Sequence, residues 1–499
     1  MDEQEGFLSG LDDFWLRVEH PRRLMTVSGL WMFEKRLDSR RVYQSINELC
    51  DRFPRYAMVP ANASLINTAE WTPARGWEPR MNVMHHQLKE PTEQALQDYV
   101  ADQISRPFVY SKPLWELHAI SGLDGERCAF FWKAHHCLAD GYSFISSLWD
   151  ITHRSADGGK ELHSSDEDDN HHNRHHKFHD HEKTDNSNND KYAAGSPRRK
   201  KQQQYRRHDS IPDPIWLLLP HWLQCVIALC IEGQALLRTL IHDFWVFLYC
   251  ILPRRWSHHH DLYYDGLQAF RKQIAWSEPI RIKDIRLVQR ALGQGAINDI
   301  MVLVVTRCIK DYLEQQNLRK DKHVCLLIPM SQRSRDDCSF QNIVSATWGW
   351  FSMEEISTKT LFRQVWREML AIKASKMPSL MYEWFAQRVL ARVPGLVNLM
   401  NRSVDRLADI PHAVLTNLPG PTRPVVFGGQ AISDFRVLPP QSGKGCLAIG
   451  LVSYNGKINI SVLADEHPKY PRLAASICEQ FAPEFELLVR EACMDLTRH

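Results

Sequence analysis

From Ser155 to Ser210 the chain carries almost nothing that can be buried. Its longest stretch reads "SSDEDDNHHNRHHKFHDHEKTDNSNNDKYAAGSPRRKKQQQYRRHDS". So few apolar side chains cannot offset the entropy of ordering the backbone, so residues 156–210 are expected to be disordered. This constrains every other part of the fold. Whatever is globular must be built from the blocks on either side, and 499 residues leave enough chain for two domains with proper cores. The histidines of the stretch (His171, His172, His175, His176, His179 and His181) read as part of a solvated linker, and no metal site is expected there.

The segment that follows is opposite in character. Pro214 to Pro253 reads "PIWLLLPHWLQCVIALCIEGQALLRTLIHDFWVFLYCILP". As a helix, the apolar run from Ile215 to Ile231 would span roughly 25 Å at about 1.5 Å per residue. A bilayer core needs about 30 Å, and Pro220, Glu232, Arg238, His242 and Asp243 interrupt any longer span. The expectation for residues 211–255 is therefore a hairpin lying in a membrane interface. Trp216, Trp222, Trp245 and Tyr249 suit such a site, and the basic runs "RRKK" and "RR" just upstream suit anionic lipid. Two helices packed on the protein itself are the alternative.

Overall charge narrows the partners little. The formal net charge is +2, which gives no general preference for polyanions, and no nucleic-acid partner is expected. The 12 cysteines include no C-x-x-C pair, which argues against a zinc ribbon or a thioredoxin-like motif. The start, "MDEQEGFLSG", is acidic without an apolar core, so a secretory signal is not expected. A reducing, cytosol-facing location fits these features.

Both flanks read as mixed α and β. "PTEQALQDYVADQIS" spaces Leu96, Tyr99, Val100 and Ile104 as a helix does. "CAFFWKAHH" reads as a buried strand and "SFISSLWDIT" as the helix after it. In the second half, "INDIMVLVVTRCIKDYLEQ" reads as a helix with Asn298 and Asp299 as N-caps. "VCLLIPMS" reads as a strand. "CLAIGLVSYNGKINISVLAD" reads as a hairpin turning at Asn455-Gly456.

Between the buried strand and its helix lies "HHCLADG", with His135, His136, Asp140 and Gly141. Neighbouring side chains at a strand end face opposite ways, so only one histidine can point into a given cleft. A neutral imidazole is the natural group to take a proton from an alcohol or thiol near pH 7. Asp140 could orient a histidine, or pair with an arginine and hold the turn. Gly141 would permit positive φ or a close backbone approach. A metal hydrolase would need further ligands, and no H-E-x-x-H is present. A serine hydrolase would want G-x-S-x-G, and "GYSFI" lacks the last glycine. A structural histidine pair stays open on this stretch alone.

Other segments add to it. "PLWEL" places Pro113, Leu114 and Trp115 upstream, Asn298 and Asp299 open a helix downstream, and "TNLPGP" carries Asn417 and Gly420. In this order the motifs resemble the wax ester synthase/diacylglycerol acyltransferase family, within the chloramphenicol-acetyltransferase-like superfamily. The resemblance covers nearly the whole chain outside residues 156–255, with Thr416 where the family's loop has serine. It implies two α/β acyltransferase domains, residues 1–155 and 256–499, with a tunnel between them. Long-chain acyl-CoA, as co-substrate, would enter from one side. A long-chain alcohol or diacylglycerol would enter from the other, with no cofactor and no metal.

By the same resemblance His136 would be the general base on the acceptor hydroxyl and His135 would support it. Asp140, Gly141, Asn298 and Asp299 would be structural or supporting, and Pro113, Leu114, Trp115, Asn417 and Gly420 would belong to substrate-tunnel motifs. The unusual middle of the chain implies membrane association, at endoplasmic reticulum or lipid droplet. A different hydroxyl acceptor such as a sterol, or a lipid-binding protein of the same fold without turnover, are the alternatives.

Overall fold

The computed structural model describes residues 6–64, 67–157, 240–241, 243–244, 261–262, 271–293, 295–334, 337–390, 410–441 and 447–496. The expected linker and apolar hairpin over 156–255 lie almost wholly outside these residues.

The strand read from "CAFFWKAHH" is the middle of a six-stranded sheet. Strand β1 (Thr26–Phe33) pairs antiparallel with β6 (Cys128–His135), and every residue of both is buried. Strand β5 (Trp115–Ser121) pairs with β6 and runs parallel to β4 (Val83–Gln87) at one edge. On the other side β1 pairs with β13 (Gln430–Leu438), which carries the short β12 (Val426–Phe427). A chain boundary near residue 255 is thus not the boundary of the sheets, because residues 426–438 cross back to complete the first one. A small hairpin, β2 (Met58–Ala61) with β3 (Glu70–Pro73), stands apart.

Alternation along β1 and β6 explains their continuous burial. Trp31, Phe33, Phe130 and Trp132 face helices α2 (Ser39–Arg52) and α4 (Gly141–Asp157) in one core. Leu30, Met32, Ala129 and Phe131 face the other way, against helix α3 (Glu93–Ile104) and residues of a second sheet. A strand buried on both faces needs apolar residues at every position rather than every other one.

The second sheet orders β10 (Val344–Ser352), β9 (His323–Ser331), β11 (Ala413–Pro419), β14 (Leu447–Tyr454), β15 (Lys457–Asp465) and β7 (Lys272–Trp276), with β8 (Ile280–Arg281) also on β15. Strand β11 runs parallel to both neighbours and the remaining pairs are antiparallel. Val414, Ala448 and Leu463 meet the first sheet. Leu415, Ile449 and Val462 face outward onto α6 (Ile297–Gln315), α7 (Thr358–Ala374) and α9 (Leu473–Leu496). Helix α5 (Ile282–Leu292) leads into α6. The β14–β15 turn has Asn455 at φ 49° and Gly456 at φ 73°, the paired positive φ of the tight hairpin read from "NG".

Among the described residues no single helix is long and apolar enough to cross a membrane. The bent pair α5 and α6 passes by length and composition only, and Ile300, Val304 and Ile309 of α6 are buried core positions.

Candidate active site

Strand β6 ends where the two histidines begin. The His135 N–H donates to the Leu114 carbonyl (2.9 Å), and the His136 N–H to the Met25 carbonyl (2.7 Å). The chain turns, and Asp140 starts α4: its Oδ1 accepts from the Ser143 N–H three residues on (2.8 Å). That is the N-cap geometry, supplied by the aspartate of the motif.

The two imidazoles go separate ways. His135 is fully buried; its Nδ1 accepts from the Cys137 N–H (3.0 Å) and its Nε2 lies 3.0 Å from Glu19 Oε2. Burial alone would raise the Glu19 carboxyl, but His135, Tyr110 and the Met25 N–H together hold it below the usual carboxylate value. His136 instead stacks on Trp15 of helix α1 (Gly10–Val18), with centroids 4.2 Å apart. Its Nδ1 is 2.9 Å from Asn342 Oδ1.

Asn342 fixes the protonation pattern of that ring. Its Nδ2 reaches Asp12 Oδ1 (2.7 Å) and the His136 carbonyl (2.7 Å), both acceptors. Flipping the amide would set oxygen against both, so Oδ1 must face the imidazole. Nδ1 of His136 must then carry the proton, and Nε2 keeps its lone pair. Among the described residues Nε2 makes no hydrogen bond. Behind Asn342, Asp12 also receives Arg55 Nη1 at 3.1 Å. Burial pushes the Asp12 carboxyl up, against Arg55 and Asn342. Burial likewise pushes the His136 imidazole down to about 4, while the charge of Asp140 and the bond to Asn342 pull the other way. The ring is therefore neutral at pH 7, with an acceptor nitrogen to offer.

Asp140 does not touch the ring nitrogens. Its Oδ2 accepts from Arg333 Nη2 (3.0 Å) and the Ile343 N–H (2.8 Å). Arg333 also bonds Ser143 Oγ and the carbonyls of Gln341 and Ser339. The pair ties the start of α4 to Arg333 and, through Ile343, to the residue after Asn342.

The other expected residues fall in two places. Pro113 and Trp115 offer their carbonyls to Asn82 Nδ2, the Trp115 indole donates to the Tyr56 carbonyl (2.7 Å), and Leu114 holds His135, so this trio braces the end of β6 from within the core. The downstream motifs meet each other: Asn417 Nδ2 donates to Asn298 Oδ1.

Two local expectations are corrected. The N-cap of α6 is Ala296, not Asn298 or Asp299. Asp299 sits in the first turn, where its Oδ2 takes the Ala296 N–H (2.8 Å) and its Oδ1 takes Lys373 Nζ (2.9 Å). Gly141 does not have positive φ, and a Cβ there would make only ordinary contact with Leu418 Cδ1 at 3.7 Å. That contact does bring the histidine motif beside the "TNLPGP" loop. Of the two motif glycines, Gly420 is the one that requires glycine, because a Cβ would collide with the Ser453 carbonyl oxygen.

Two facing sheets, with a His-His-x-x-x-Asp-Gly turn at a strand end closed over by the second half of the chain, define a protein of the chloramphenicol-acetyltransferase-like class. Solved structures agree on the fold. A wax ester synthase/diacylglycerol acyltransferase from Marinobacter aquaeolei VT8 covers 98% of this chain and 99% of its own at 16% identity, with TM-score 0.57. The first condensation domain of the CDA synthetase matches at 12% identity and TM-score 0.56, over 98% and 97%.

The chain belongs to the wax ester synthase/diacylglycerol acyltransferase family. Residues 8–184 match the family's catalytic-domain model and residues 341–488 its C-terminal-domain model. A putative diacylglycerol O-acyltransferase from Mycobacterium tuberculosis is 31% identical over 160 residues, 30% of this chain and 35% of that protein. The O-acyltransferase WSD of Acinetobacter baylyi is 25% identical over 156 residues, 30% of this chain and 34% of that protein. The matched stretches thus span about a third of these curated relatives.

Proposed function

We propose that the chain is an acyl-CoA-dependent O-acyltransferase that makes neutral lipid esters, with a long-chain alcohol, diacylglycerol or both as acceptor. The observation that carries this reading is the open Nε2 of a neutral His136 whose Nδ1 proton is held by Asn342. The names of relatives, a wax ester synthase/diacylglycerol acyltransferase of Arabidopsis thaliana and a putative diacylglycerol O-acyltransferase of Mycobacterium tuberculosis, support the choice of acceptor.

Nε2 takes the proton of the acceptor hydroxyl as its oxygen attacks the thioester carbonyl carbon. The carbonyl π electrons move onto oxygen and form a tetrahedral oxyanion. Its collapse breaks the C–S bond, and the departing thiolate recovers the proton from Nε2. While charged, the imidazolium is stabilised by its Nδ1–H bond to Asn342. His135, tied to Cys137 and Glu19, holds the turn and transfers no proton.

The test incubates purified full-length protein with palmitoyl-CoA and, separately, hexadecanol, a diacylglycerol and a sterol. Ester should form with the first or second. His136→Ala should reduce it by about 10²–10⁴-fold while the protein stays folded. Ester formed only from the sterol moves the acceptor assignment. Bound lipid without ester from any acceptor refutes the enzyme.

A further inference from the structure

One surface of the fold is apolar on the outside and touches the active site on the inside. After α7 the chain forms a short helix α8 (Met377–Leu380) and a wide helical turn, Met381–Leu390. The inner side of this segment packs Phe385 and Leu390 with Phe14, Trp15, Val18 and Met25. Trp15 is the ring on His136, and the Met25 carbonyl holds the His136 N–H. Ser379 Oγ donates to Gln332 Oε1 (2.8 Å), one residue before Arg333. Tyr382 lies near enough to Arg333, Asp12 and Asp337 to feel their charges. The segment therefore roofs the scaffold that holds the base.

Its outer side is unlike a soluble surface. Leu380 is 54% exposed, Met381 41% and Trp384 63%. Leu380, Trp384 and Arg388 recur every four residues, and so do Arg363, Arg367 and Leu370 nearly so on α7. Where the two helical pieces join, Ser375 Oγ donates to Asp243, and the helical residues Leu240, Ile241 and Phe244 beside it are exposed. Arg363, Arg367, Lys376 and Arg388 are exposed along 363–388, and Glu383 is the exposed acid among them.

Large exposed apolar side chains on a stretch whose exposed charges are mostly cations match one kind of partner. Protein interfaces deplete lysine, glutamate and aspartate at their core, although they enrich arginine. A phospholipid surface takes both features at once: apolar side chains enter below the headgroups and cations meet anionic headgroups. We propose that the outer face of residues 363–388, with Leu240, Ile241 and Phe244, docks on an anionic phospholipid surface. A lipid acceptor leaving that surface would then meet the roof over His136. The second statement rests on the acyltransferase reading; the first does not.

The test is cosedimentation of the full chain with phosphatidylcholine vesicles, with and without phosphatidylserine. Wild type should bind better when phosphatidylserine is present. Leu380→Glu/Trp384→Glu should bind both kinds at least about tenfold more weakly. Arg367→Gln/Lys376→Gln should lose about tenfold or more on phosphatidylserine vesicles alone. These side chains are exposed, so melting temperatures should stay at the wild-type value. Turnover of a short water-soluble alcohol should persist in both variants, while turnover of vesicle-borne diacylglycerol falls.

Vesicle binding in this pattern without any ester formed would keep the surface and overturn the acyltransferase reading. Wild type that ignores vesicles overturns the surface. So does binding that survives Leu380→Glu/Trp384→Glu and is lost instead with Trp222→Glu/Trp245→Glu.

Discussion

Asn342→Ala separates a base that is held from one that merely sits in the right place. The substitution deletes three hydrogen bonds at once: to His136 Nδ1, to the His136 carbonyl and to Asp12. Each buried group left without a partner costs about 1–3 kcal/mol, less where water enters the space left by the amide. A loss of about 3 kcal/mol in stability is the expected outcome. The rate should suffer by a separate route. Without Oδ1, nothing favours the proton on Nδ1, and a ring protonated on Nε2 is no longer a base. Losing the partner that sets the histidine tautomer costs about 10⁴-fold in a serine protease, where that partner is a carboxylate. A neutral amide should account for about 10²–10³-fold in kcat, with KM for acyl-CoA little changed. Asn342→Asp keeps an acceptor toward Nδ1 while crowding Asp12. It should therefore lose stability yet stay within about tenfold of wild type in rate per folded molecule. The assay is turnover normalised to folded protein, beside thermal unfolding, for both variants. A folded Asn342→Ala with wild-type kcat would refute the tautomer argument.

Asp140→Ala and Asp140→Asn should act through stability, costing about 3 kcal/mol by removing the nearer of the two carboxylates on Arg333 and an acceptor of the Ile343 N–H, while rate per folded molecule changes little; a stable variant with collapsed turnover would contradict this. Burial holds His136 at about 4 and His412 at about 3, both below the ordinary 6.5. The unfolded chain therefore binds protons first as pH falls, and stability present above 6.5 should drain away from about 6.5 toward 4 for His136 and toward 3 for His412. The acid limb of kcat/KM, measured on folded protein, should bend near pH 4, and a bend at 6.5 would show that the imidazole is solvated. Gly420→Ala forces a Cβ against the Ser453 carbonyl, so thermal unfolding should shift down by several degrees, whereas Gly141→Ala meets only Leu418 and should melt close to wild type.

What could be read from the sequence was local. "CAFFWKAHH" showed a strand buried on both faces because every residue in it is apolar until the charge of Lys133. "NG" showed its hairpin because two positive φ values leave few other residues possible. His136 and Asp140 stood out because their spacing is itself the turn. Asn342, Asp12 and Arg333 carry no such mark. A neutral amide in "SFQNIVS" and an arginine among many become part of a site only through pairings across hundreds of residues. The N-terminus of α6 was placed two or three residues late because Asp299 caps from inside the first turn, with Ala296 at the cap position. The return of β13 to the first sheet could not be seen either, since nothing in "QAISDFRVL" says which strand it will join.

That return has a consequence for the order of events during synthesis. Leu30 pairs with Arg436, about 400 residues later in the chain. At about 5–20 residues per second, the first sheet would wait roughly 20–80 s on the ribosome for its fifth and sixth strands. Until then β1 presents a bare, largely apolar edge to the cell, which is the kind of edge that recruits chaperones or aggregates. Shortened transcripts that stop before residue 438 would leave that edge open for good. Such products should be cleared rather than accumulate as half-active enzyme, even though they carry His135, His136 and Asp140 intact.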